Sequence, residues 1–143
     1  PTGGTRTFSI SATDIYNNVS AAATSSIDTG TPFITNLPAA AQALAWTRGT
    51  AADLADLRFD RGGNTSSADT LTLSIFAVNG TIGGLTDADA NADGIQLTGT
   101  AAALATAFEP ATFTAAANGT PKLLFNLTDS VRHSVNYQYP LSA

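Results

Sequence analysis

The chain has 143 residues and a formal net charge of −5, with 43% hydrophobic and only 12% charged residues. That length suits one domain, or one domain plus a fragment of another, and the apolar share excludes disorder by composition. The six basic residues, Arg6, Arg48, Arg58, Arg61, Lys122 and Arg132, are scattered, so no basic stripe exists for nucleic acid; no apolar run near 18 residues exists for a membrane span. Glu109 is the only Glu and Lys122 the only Lys. Thr, Ala, Ser, Asn and Gly take their place, and these residues suit strands and turns better than amphipathic helices.

The first element is a hairpin. Phe8, Ile10 and Ala12 alternate with Thr7, Ser9 and Ser11, and Asn17-Asn18 supplies the turn. A boundary is expected near "IDTGTP" (27–32). Residues 1–31 then form a β-hairpin arm, and residues 32–143 form the main sandwich, with "FITNL" as its first strand. Two strands alone are marginal in water, so the arm needs something to pack on. "GTAADLADLRF" (49–59) predicts a short helix, with Thr50 as N-cap, Asp53 in the first turn, and Leu54 and Leu57 on one face. Leu71, Leu73 and Ile75 then alternate with Thr72 and Ser74, before the apolar phase shifts to Phe76 and Val78. A β-bulge explains that shift, and so does a strand buried on both faces.

Further along, Ile95 and Leu97 flank Gln96. "GTAAALATAFEP" (99–110) predicts a second short helix, capped by Thr100, with Leu104, Ala107 and Phe108 on one side and Pro110 as its stop. Gly49 and Gly99 open similar segments at an offset of about 50, the signature of a faint internal repeat. Phe113 and Ala115 mark the next strand. Leu123, Phe125 and Leu127 mark another. Val135, Tyr137, Tyr139 and Leu141 mark the last, which Pro140 confines to an edge or terminates. Asn79-Gly80, Gly83-Gly84 and Asn118-Gly119 punctuate these runs. The expected fold is all-β: an antiparallel Ig-like or cadherin-like sandwich with one or two short helical crossovers. Leu73, Ile75, Phe113, Leu123, Phe125 and Leu127 are its expected core.

"TFSISATDIYNNVSAAATSSIDTGTP" resembles the last hairpin of bacterial Ig-like repeats. The segment 68–129, with "NGTIGGL", "GIQLTGT", an Ala-rich crossover and "ATFTAAANGT", resembles the cadherin-like or VCBS-type repeats of very large bacterial adhesins. "HSVNYQYPLSA" resembles the final strand of such a repeat. The resemblance implies an extracellular, cell-surface module that provides reach and assembly. The arm is then either the end of a preceding Ig-like repeat or, with Phe8, Ile10 and Ala12, a strand pair donated to an adjacent repeat or to a neighbouring copy. Two segments depart from the pattern: "LRFDRGGNTSS" is more basic, and "SVRHSVNYQYP" carries unusual aromatics. The absence of Cys and Met, and a start at Pro1 without an initiator, add the expectation of a processed or excised piece of an exported protein.

Chemistry is sparse. "DADANADG" places oxygen side chains at Asp87, Asp89, Asn91 and Asp93 before Gly94, a spacing that can converge on Ca²⁺. The twelfth position counted from Asp89 is Thr100 where an EF-hand needs Glu, so the alternatives are a structural Ca²⁺ site or a solvated turn. His133 is the sole His. A triad of Asp129, His133 and Ser130 or Ser134 is disfavoured, because neighbours on a strand point to opposite faces. No nucleophile elbow is present, and an enzyme is not expected. Trp46, Tyr137 and Tyr139 are candidate aromatics for a carbohydrate-binding alternative, with a glycan or host surface as partner.

Overall fold

The structure, a computed structural model, describes residues 5–28, 30–63, 70–131 and 133–143. Strands β1 (Thr5–Ile10) and β2 (Ala23–Asp28) form the N-terminal hairpin. Then come β3 (Phe33–Ile34), a 3-10 turn (Ala40–Gln42), β4 (Leu44–Ala45), β5 (Ala51–Asp53) and β6 (Phe59–Asp60). The long strand β7 (Leu71–Val78) leads through Asn79 into β8 (Gly80–Gly83), followed by β9 (Ile95–Gly99) and helix α1 (Ala101–Phe108). The chain closes with β10 (Thr112–Ala115), β11 (Lys122–Asp129), β12 (Ser134–Tyr139) and β13 (Leu141–Ser142).

Two antiparallel sheets enclose the core. One has the order β12-β11-β7-β9, the other β5-β10-β8. Short pairs, β3 with β6 and β4 with β13, extend the periphery. The protein is thus an all-β sandwich with one α-helix among the described residues. Period-two alternation sets its faces. Leu71, Leu73 and Ile75 of β7 stand opposite Asp129, Leu127 and Phe125 of β11, and all the apolar members are buried. Phe113 comes in from the second sheet. The six expected core residues are at most 1% exposed. An aromatic chain spans the interior, running from Phe59 to Phe108, Phe125 and Tyr139 with centroid separations of 6.5, 5.9 and 5.7 Å, each contact edge-on. That geometry sets a positive ring edge against a negative face.

Helix α1 forms as expected: Thr100 Oγ1 accepts the Ala103 N–H at 3.2 Å. Its buried side carries Leu104, Ala105 and Phe108, with Ala105 in place of the predicted Ala107. The other predicted helix is absent. Gly49 turns the chain at φ 70°, and Ala51–Asp53 pairs with β10 as strand β5. Leu54 and Leu57 are buried as expected, but on extended chain. An isolated helix of about 11 residues is marginal in water, and an available strand edge outcompetes it. The supposed repeat fails with it, since one copy is strand and loop while the other is helix.

The phase shift after Ile75 is no change of face. Ala77 stays against the core, while Phe76 is half-buried and Val78 is 43% exposed. The discontinuity comes at Asn79, with φ 51°. There the chain leaves one sheet and enters the other, so Asn79-Gly80 is a sheet switch and not a hairpin turn. A Cβ on Gly80 would lie 2.5 Å from the Phe113 ring, so only Gly passes this close.

Candidate assembly site: the N-terminal hairpin

The arm is a hairpin of two six-residue, fully paired strands, from Thr5↔Asp28 to Ile10↔Ala23. Past the strands, Ala12 and Ser20 exchange bonds: the Ser20 N–H donates to the Ala12 carbonyl at 2.8 Å, and the Ala12 N–H to Ser20 Oγ at 2.9 Å. Asp14 builds the tip. Its Oδ1 accepts the N–H groups of Tyr16 and Asn18 at 2.8 and 2.9 Å, and its Oδ2 accepts from Asn18 Nδ2 at 2.9 Å. The Asn18 bonds hold the Asp14 carboxyl below its ordinary pKa of 3.8. Asn17 takes the left-handed conformation, φ 65°, which Asn tolerates at the predicted Asn17-Asn18 turn.

Every residue from Thr7 to Thr24 is exposed. Phe8 is 53% and Ile10 73% exposed, and Ala12 is exposed with them. The tip adds Ile15 at 90%, Tyr16 at 80% and Val19 at 65%. The sequence pattern identifies Phe8, Ile10 and Ala12 but misses these three. Their signal is present in "DIYNNV", where large apolar residues flank a turn that polar ones normally occupy. Gly30 is buried, and a Cβ there would sit 1.9 Å from the Gly62 carbonyl oxygen; Pro32 is fully buried.

The other candidate residues lie elsewhere. Tyr139 is 1% exposed, and its hydroxyl accepts the Ala55 N–H at 2.9 Å. Half-buried Tyr137 accepts the Ile34 N–H at 3.1 Å. Both stand on the core-facing side of β12, Tyr139 fully buried and Tyr137 partly so. Burial pushes the Tyr139 hydroxyl above its ordinary pKa, against the pull of the Ala55 bond. Trp46 is half-buried against the core, with the Arg48 guanidinium 5.3 Å from its ring centroid. Arg48 also donates to the Ala116 and Gly119 carbonyls.

The acidic loop closes on its own backbone. Asp87 Oδ1 accepts the N–H groups of Asp89 and Gln96, and Asp89 Oδ1 accepts that of Asn91. The Ala88 N–H donates to the Gln96 carbonyl at 2.8 Å. Asp89, Asn91 and Asp93 are exposed. Among the described residues, no three His, Cys, Asp or Glu side chains converge as metal ligands. At the β11–β12 turn, His133 Nδ1 lies 2.9 Å from Asp129 Oδ2, and Asp129 Oδ1 accepts the Val131 and His133 N–H groups. Two members of the disfavoured triad therefore do meet, because the turn, and not a strand, carries His133. Among the described residues, no hydrogen bond joins Ser130 or Ser134 to the pair. No helix among the described residues is long and apolar enough to cross a membrane.

No protein-family model, curated protein or solved structure matches the chain. The resemblance to the repeats of large surface adhesins therefore rests on the sequence motifs alone.

Proposed function

We propose that this chain is a structural, adhesive module of a bacterial extracellular surface protein, in which the hairpin arm makes the joint to the next unit. In a tandem parent the next unit is the adjacent repeat. In a polymer it is a separate copy, and the contact is head-to-tail.

One observation carries this reading: a fully paired hairpin exposes Phe8, Ile10, Ile15, Tyr16 and Val19 while the sandwich already has a complete core. Apolar side chains on an unsupported two-stranded ribbon contribute little stability until something covers them. Strand edges left open are usually guarded by charge, and the arm from Thr7 to Thr24 carries one charged residue, Asp14, spent on the turn. Deletion of residues 1–28, cut before buried Gly30, tests the reading. The expected product is a folded monomer under conditions where the full chain forms oligomers in sedimentation velocity. A truncated chain that still assembles overturns it, and a full chain that is monomeric at every concentration overturns its polymer form.

A further inference from the structure

The arm is one half of a joint, and the sandwich offers one edge suited to the other half. Four strands terminate the two main sheets: β5, β8, β9 and β12. Strand β5 has three residues, and β8 has four with Gly at both ends. Strand β9 is closed at its second residue, because the Gln96 N–H donates outward to Asp87 Oδ1 and the Gln96 carbonyl accepts from the Ala88 N–H. The Asp-rich loop is thus an edge guard, and a strand cannot add there without displacing it.

Strand β12 differs. The Asp129 N–H donates to the His133 carbonyl, so in the antiparallel ladder Val135, Tyr137 and Tyr139 exchange bonds with β11. Ser134, Asn136 and Gln138 then turn their backbone groups outward. Among the described residues no hydrogen bond reaches those groups. The Pro140 carbonyl faces the same side and accepts the Leu44 N–H of β4 at 2.9 Å. A strand laid along Ser134–Gln138 would therefore continue the line that β4 begins. No charged residue guards Ser134–Tyr139. On the core side Val135 and Tyr137 are only half-buried.

We infer that β1 of one copy adds to the outer edge of β12 in a second copy. The inference rests on the proposed role of the arm. Strands β1 and β12 both have six residues. Phe8 and Ile10, two residues apart, share a face, as do Val135 and Tyr137. Pairing sets the two apolar pairs side by side over the partly covered margin of the core, where cross-strand contacts form. The chain's own arm does not fill this edge, since Thr7 to Thr24 are all exposed. One copy donates at its start and accepts near its end, so the contact propagates.

Two variants separate donor from acceptor. Asn136→Pro removes an outward N–H and no ladder bond to β11, although it loses the 2.8 Å contact from Asn126 Nδ2. Proline is admissible at such an edge position. This variant can donate only, and the chain lacking residues 1–28 can accept only. Each alone should be monomeric by sedimentation velocity, and a 1:1 mixture should form a heterodimer and nothing larger. A melting curve confirms that each is folded. If the proline variant melts early, Gln138→Lys replaces it, with association weakened by about tenfold or more because charge at an open edge opposes strand addition. Arm-dependent assembly that survives both edge substitutions overturns the β12 assignment and leaves the arm's role standing. Assembly that survives loss of the arm overturns the role itself.

Discussion

The N-terminal hairpin and the two main sheets are both built from antiparallel strands, and both satisfy their ladders. They differ in what lies beneath. Each strand of the main sheets sets one face against the other sheet, so Leu73, Ile75, Phe113, Leu123, Phe125 and Leu127 are buried together. The arm has the same alternation, with Phe8 and Ile10 on one side, and no layer under it. A hydrogen-bonded ladder in water exchanges solvent bonds for internal ones and gains little net; burial of apolar surface is what makes a sheet persist. On the proposed function, stability belongs to the body and assembly to the arm, and substitutions should respect that division.

Phe125→Ala gives the largest expected effect. It removes the ring between Phe108 and Tyr139 and should destabilise the body by about 3–5 kcal/mol in urea denaturation, as large core truncations do. A cost near zero would mean that the faces of β11 are exchanged. Tyr139→Phe comes next. It removes the acceptor of the Ala55 N–H in a partly buried bond and should cost about 1–2 kcal/mol. It also bears on alkaline behaviour. The folded-state pKa of Tyr139 is raised above the unfolded value of 10.0, so its stabilisation is fully present below pH 10.0 and is lost as pH rises through the folded value. The wild type should therefore lose more stability than Tyr139→Phe between pH 9 and pH 11, read by circular dichroism.

Asp87→Ala should cost about 1–2 kcal/mol, because two backbone N–H groups lose their acceptor. The same melts carry the calcium question. A loop held by its own backbone gives identical transitions in EDTA and in Ca²⁺, whereas a Ca²⁺-dependent rise would show a ligand bound to the folded state alone. The smallest effect is local and belongs to the arm. The folded pKa of Asp14 is depressed, so its contribution to the tip is present above the ordinary value of 3.8 and is lost as pH falls through the lowered one. The amides of Tyr16 and Asn18 should exchange faster in acid than the core amides of β7 and β11. Equal acceleration in both regions would mean that the tip is not a separate unit.

Much of this division is legible in the sequence. Alternation gives β7, β11 and β12 with their inward residues, because period two fixes a face wherever one side is buried. Thr100 and Pro110 bracket α1 because capping is local chemistry. Residues 49–59 are not legible in the same way. Their helical spacing is real, but pairing to β10 is a long-range event that local propensity does not encode. Tyr137 and Tyr139 show the same limit: their alternation marks a face, yet whether that face looks inward depends on Ile34 and Ala55, which are distant in sequence. The acidic loop has the letters of a cation site. Its partner, the edge of β9, becomes visible only once the strands are placed.

Hydrogen–deuterium exchange as a function of protein concentration tests the central claim most directly. The amides of β1 and β2 should exchange quickly in dilute solution and become protected as concentration rises, while those of β7 and β11 stay protected throughout. Protection of the arm equal to that of the core at the lowest concentration would place the arm on its own body and contradict the account.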